Sequence, residues 1–164
     1  MGKVSIARID ERLIHGQVMT NMSKSAGANA IFIADDDVAK DDFMKEIFVS
    51  AGGRTGLAVK ILSLNETINY WNTKQFENYN VILLTKNIKS IYTLIKNGLP
   101  VAELNLGGIA KRPTNTFVIN SVAIDKEGAN MLQELNEKYK VYVYFQTVPA
   151  SSKTELSAAL KLFK

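Results

Sequence analysis

Short apolar, β-branched runs recur along the chain, and each leads into a stretch of helical character. Residues 4–9, 30–34, 57–62, 81–84, 102–106, 116–119 and 141–147 read as strands, whereas 17–25, 38–50, 65–71, 88–96, 126–139 and 153–163 read as helices. Strands that alternate with helices pair in parallel, joined by right-handed crossovers. The expected fold is therefore α/β: a doubly wound, open, mostly parallel sheet with helices on both faces, which binds ligands beyond the carboxyl ends of its strands. Within 38–50, Phe43, Ile47 and Phe48 are expected to form one apolar face, with Asp35, Asp36 and Asp37 supplying its cap and Gly52 and Gly53 closing it.

A chain of 164 residues with 46% apolar and 22% charged side chains can bury one core, so residues 1–164 are expected to form a single domain. No apolar run approaches the roughly 20 residues that a spanning helix needs, and the start Met1-Gly2-Lys3-Val4-Ser5 lacks a secretory pattern. Cysteine is absent, which excludes disulfides and thiolate metal sites and makes the cytoplasm the expected compartment. The formal net charge of +4 is mild and its lysines are interspersed with acids, unlike the concentrated basic face of a nucleic-acid binder. An anionic substrate or an acidic partner suits it better.

One segment gathers reactive side chains. The run from Ala7 to Val18 places Arg8, Asp10, Glu11, Arg12 and the chain's single histidine, His15, between the first strand and the first helix. A neutral imidazole is a nitrogen nucleophile near neutral pH and can hold a phosphoryl group in a bond that transfers onward. Such transfer depends on positioning and on stabilising the equatorial oxygens, so the guanidinium forks of Arg8 and Arg12 are candidates to flank the group. Backbone N–H groups of Gly16, Gln17 and Val18 at a helix start would add donors, and Asp10 or Glu11 would hold an arginine or orient the ring. On residue types alone, a histidine beside ion-paired arginines also reads as a structural hydrogen-bonding site.

The run Arg8-Ile9-Asp10-Glu11-Arg12-Leu13-Ile14-His15-Gly16-Gln17-Val18 resembles the phosphorylation-site motif of the IIB components of the mannose/fructose/sorbose class of the phosphoenolpyruvate-dependent sugar phosphotransferase system. The similarity continues through Asp35, Leu83-Leu84-Thr85-Lys86 and Asn105-Leu106-Gly107-Gly108 to Val148-Pro149. It implies an open, mostly parallel sheet with helices on both sides. It also implies that His15 accepts a phosphoryl group from a IIA phosphohistidine, on the ring nitrogen nearer the backbone, and donates it to sugar entering through the membrane components IIC and IID. The reaction would be that of a protein-N(π)-phosphohistidine–sugar phosphotransferase that needs no metal or organic cofactor and associates peripherally with its membrane subunits. Asn105-Leu106-Gly107-Gly108 ends a strand either in a plain turn, the reading its glycines favour, or in backbone that approaches an anion closely, and the resemblance sets Asn105, Gly107 and Gly108 near the active loop.

Two positions depart from the family pattern: Glu11 stands where a second Asp is common, and Met22 where many members carry Trp. Mannose, fructose, sorbose, N-acetylgalactosamine and related amino sugars all fit, and self-association is left open. Lys111 and Arg112 are either solvated loop charges or contacts to the phosphoryl group or an acidic partner. Asp35, Asp36 and Asp37 read as caps, not as a metal site. Tyr70, Trp71 and Phe76 are expected to cover core. A different class of function also fits the loop: a non-catalytic module that binds an anion or a protein, with His15 as a hydrogen-bond donor.

Overall fold

The computed structural model describes residues 1–16 and 21–164. Its strands are β1 (Lys3–Asp10), β2 (Ala30–Ala34), β3 (Ala58–Leu62), β4 (Asn80–Thr85), β5 (Glu103–Gly108), β6 (Thr116–Ile119), β7 (Val122–Ile124), β8 (Tyr142–Phe145) and β9 (Thr154–Glu155). The helices are α1 (Gly16–Ala26), α2 (Asp36–Ala39), α3 (Asp42–Gly53), α4 (Leu64–Lys74), α5 (Ile88–Lys96), α6 (Lys126–Tyr139) and α7 (Leu156–Leu160). Among the described residues, seven strands form one sheet in the order β3-β2-β4-β1-β5-β8-β9, while β6 and β7 pair separately. All neighbours in the large sheet are parallel except β8 and β9. This is the doubly wound, mostly parallel α/β sheet that the alternation of patterns predicts.

Side chains along each central strand divide between two cores, as the period of two requires. Ala30, Phe32 and Ala34 of β2 join Ala7, Ile9, Val81 and Leu83 against the apolar faces of α5 and α6. Ile31 and Ile33 join Ile6, Ile82 and Leu84 on the other side, where Met22 of α1, Val38 of α2 and Phe48 of α3 cover them. Tyr70 and Trp71 pack on the first core, with Phe76 fully buried and its ring set edge-on to Trp71.

Two expected helices differ. The segment 38–50 is split, because Asp41 is extended and its carboxylate accepts a hydrogen bond from Met44 N, starting a new helix at Asp42. The face that α3 buries runs through Met44, Phe48 and Ala51, whereas Phe43 and Ile47 lie about 100° around the helix and are exposed. The expected common face of Phe43, Ile47 and Phe48 is therefore corrected to Phe48 alone. The segment 153–163 begins as β9, where Thr154 and Glu155 pair with Phe145 and Tyr144, and only then becomes helical. Strand β7 lies beyond any predicted element.

The crossover from β1 runs through α1 on one face, whereas those leaving its neighbours β4 and β5 run through α5 and α6 on the other. Loops at the carboxyl ends of β1, β4 and β5 consequently diverge and leave a crevice, the place where open α/β sheets bind ligands. The His15 loop sits there.

Candidate functional site

Strand β1 aims alternate side chains at alternate faces. Ala7 and Ile9 enter the first core, while Arg8 and Asp10 point together toward the α1 side. Arg8 is opposite Asn105 in the β1–β5 register and is 1% exposed. Its Nη1 donates to Asn105 Oδ1 at 2.5 Å and to the Gln146 carbonyl at 3.4 Å, and its Nη2 donates to Asp10 Oδ2 at 3.0 Å and to the Thr147 carbonyl at 2.8 Å. Asn105 donates in turn to the Gln146 carbonyl at 3.1 Å. A cation held by one carboxylate and three neutral acceptors is what lets an arginine be buried.

Arg8, expected to flank the phosphoryl oxygens, is buried beneath the loop and holds Asp10. Asn105, Gly107 and Gly108, expected near the phosphoryl group, stand beside this ion pair. Asn105 is 2% exposed, with its amide engaged by Arg8 and the Gln146 carbonyl. A Cβ on Gly107 would overlap the Arg8 guanidinium, and one on Gly108 would lie 2.7 Å from Asp10 Oδ1. At both positions the missing side chain makes room for the Arg8–Asp10 ion pair. Gly107→Ala is accordingly expected to destabilise the fold by about 1–3 kcal/mol through overpacking. Urea denaturation measures it, and an unchanged midpoint would mean that the arginine seat tolerates a methyl group.

Asp10 is the hub. Its Oδ1 accepts from Arg12 N and Arg12 Nε, each at 3.0 Å, and its Oδ2 from Arg12 Nη2 at 2.9 Å, Arg8 Nη2 at 3.0 Å and His15 Nε2 at 3.1 Å. Burial pushes its pKa up, yet the Arg12 hydrogen bonds and the Arg8 charge outweigh that and hold it down at about 2. Asp10 is thus a carboxylate at any physiological pH. Burial lowers Arg8 against the opposing pull of Asp10, while the Asp10 hydrogen bond raises Arg12.

Two neighbouring features fix the loop. Leu13 is fully buried with φ +56°, and with Ile14 it anchors the segment in the second core. A left-handed conformation costs a side-chain-bearing residue on the order of 1 kcal/mol, a strain that buried leucine contacts can offset. The chain then passes His15, extended at φ −150°, to Gly16 at φ +48°, where glycine is unstrained and an added Cβ would meet no atom within 4 Å. The His15 side chain is 21% exposed and Arg12 is 55% exposed. Gln17 and Val18, expected to offer backbone donors, lie outside the described residues.

Glu11 reaches sideways. Its Oε1 pairs with Arg112 Nη1 at 2.7 Å and its Oε2 accepts from Ala110 N at 3.3 Å, tying the segment after β5 to the active loop. The extra methylene of Glu11 is thus used on a neighbouring loop. With Lys86 and Asn87 after β4, Glu11 and Arg112 line a crevice of about 590 Å³. Lys111 donates to the Arg112 carbonyl, and Met22 is buried in the second core. Asp35 caps α2 by accepting from Val38 N, and among the described residues no cluster of His, Cys, Asp or Glu could hold a metal. Sequence reasoning missed the carbonyls of Gln146 and Thr147, which carry no side-chain signature.

Residues 4–164 match the family model described as the PTS system sorbose subfamily IIB component. The chain is 33% identical over 135 residues to the sorbose-specific EIIB component of Klebsiella pneumoniae, which spans 82% of each chain. It superposes on the crystal structure of manxB from Thermoanaerobacter tengcongensis with a TM-score of 0.91 at 39% identity, over 98% of this chain and 96% of that one. The IIBSor domain of the sorbose permease from Klebsiella pneumoniae gives a TM-score of 0.88 at 31% identity over 97% of each chain. Such likeness of fold and sequence defines a phosphotransfer module of sugar uptake. The chain belongs to the sorbose-subfamily IIB components of the sugar phosphotransferase system, which work with IIA proteins and membrane subunits.

Proposed function

We propose that His15 carries the phosphoryl group and that Nδ1 is the atom that holds it. The observation behind this reading is the 3.1 Å contact between His15 Nε2 and Asp10 Oδ2. An ionised carboxylate only accepts, so Nε2 holds the proton there and the lone pair of the neutral ring is on Nδ1. That nitrogen attacks phosphorus in line as the P–N bond of a IIA phosphohistidine breaks and returns its electron pair to the donor ring. Positive charge then builds on the His15 ring, and the Asp10 carboxylate stabilises it. In the second transfer a sugar hydroxyl attacks phosphorus and loses its proton, and the P–N electron pair returns to Nδ1.

Arg12 is the cation on the open side. Its Nε and Nη2 donate to Asp10, while Nη1 makes no hydrogen bond among the described residues and stays available for the phosphoryl oxygens. Arg12→Ala is therefore expected to slow transfer by roughly 100-fold or more while lowering stability by less than about 1 kcal/mol, as for other exposed arginines. Single-turnover transfer from phosphorylated IIA, measured beside thermal unfolding, checks both halves, and unchanged kinetics would remove Arg12 from the role.

In this reading the donor is a IIA protein and the acceptor is sugar held by IIC and IID, so the chain works at the cytoplasmic face of the membrane. No helix of the described residues is long and apolar enough to cross it. Incubation with phosphoenolpyruvate, the two general phosphotransferase proteins and a cognate IIA tests the reading by mass. One acid-labile, alkali-stable phosphoryl group supports the carrier. An unmodified chain beside a competent control favours a non-catalytic binding module.

A further inference from the structure

The outer face of α3 takes no part in the site. Phe43, Glu46, Ile47, Ser50, Gly53 and Arg54 stand at i, i+3, i+4, i+7, i+10 and i+11, so they form a single stripe, and every one of them is exposed. Phe43 is 70% and Ile47 43% exposed, although Met44 and Phe48 of the same helix turn into the core. Backbone at Arg54 is still helical, which continues the stripe past the end of α3. A groove of about 440 Å³ runs along it. Adjacent exposed apolar side chains rimmed by charge mark an interaction surface more often than isolated ones do.

The charges say what fits. Glu46 and Arg54 lie eight residues apart on this stripe, about 12 Å along the axis, too far to pair with each other. Neither side chain has an ion pair among the described residues. A wholly acidic or wholly basic partner would be repelled at one end. A second α3 laid antiparallel, with Ser50 on the two-fold axis, meets no such conflict: each Glu46 faces the partner's Arg54. Each Ile47 then faces the partner's Gly53, where an added Cβ would find no atom within 4 Å and the surface is open to a knob.

We propose that this stripe is a self-complementary surface through which two copies of the chain associate by an isologous, antiparallel α3–α3 contact. One helix face per copy is small against the roughly 1,200 Å² of a stable interface, so the dimer is weak and reversible, with a Kd on the order of 0.1 mM. It strengthens where copies are concentrated, as on a membrane complex, and weakens with salt.

Sedimentation equilibrium of the full chain at low and high salt tests it. Ile47→Asp removes association, and Glu46→Arg or Arg54→Glu each weakens it about 10-fold through like-charge pairs. The double variant Glu46→Arg/Arg54→Glu returns to within about threefold of wild type, because the swapped pair is again complementary. Because the chain contains no cysteine, Ser50→Cys introduces a single thiol at the axis that a short bis-maleimide should couple into dimers. Asn72→Cys on exposed α4 serves as the control that does not couple. A wild type that stays monomeric to about 1 mM, charge swaps without mutual rescue, or Ser50→Cys coupling no faster than the control would each overturn the proposal.

Discussion

His15→Gln is expected to take up no phosphoryl group from IIA, a loss of at least about four orders of magnitude in transfer, while unfolding at nearly the wild-type temperature. The ring is a partly exposed residue on a loop whose anchors are Leu13 and Ile14, so its removal leaves the core intact. An amide also retains one donor for Asp10 but offers no nitrogen lone pair for phosphorus. Intact-mass measurement after incubation with the phosphorylated donor reads the first effect, and circular dichroism on heating reads the second. Phosphorylation of the variant at the wild-type rate would move the carrier role to another residue and end the proposed chemistry.

Asp10→Asn should damage stability and transfer together, for separable reasons. The buried Arg8 guanidinium keeps its neutral acceptors but loses the carboxylate that balances its charge. Breaking a buried ion pair from one side costs about 3–5 kcal/mol, which for a chain of this size lowers Tm by roughly 10 °C. Transfer should also fall by about 100-fold or more, because the ring loses both its orienting acceptor and the charge that stabilises it once phosphorylated.

Adding Arg8→Met separates the two effects. Without the orphaned cation the double variant should regain roughly half of the lost stability, but its transfer should remain as slow as that of Asp10→Asn. Recovery of transfer with stability would show that Asp10 acts only by keeping the fold intact. If Asp10→Asn alone unfolds like wild type, the buried pair is not what holds the loop.

Much of the architecture was readable because its cause is local. The two-residue alternation in Ala30-Ile31-Phe32-Ile33-Ala34 places side chains on two faces before any partner is known, and the expected bounds of β2, α5 and α6 coincide with those observed. Errors arose where a distant or competing interaction decides. Asp41 restarts a helix that periodicity alone would run through, and Thr154 pairs with β8 although its neighbours look helical. The exposure of Phe43 and Ile47 follows from which side of α3 meets β3, a choice that three apolar residues close in sequence could not make.

The candidate loop shows the same division more sharply. Its members lie close together in the chain, so the sequence by itself determined that a histidine, two arginines and two acids would meet where a strand gives way to a helix at the carboxyl edge of a parallel sheet. It could not rank them. Arg8 and Arg12 are the same residue type on the same short segment, and only the pairing of β1 with β5 buries the first under Asn105 and Gly107 while the second stays at the surface. The tertiary structure decided which of the two cations on the carboxylate is buried and which faces solvent, because burial and charge balance depend on groups nearly a hundred residues or more away: Asn105 and the carbonyls of Gln146 and Thr147.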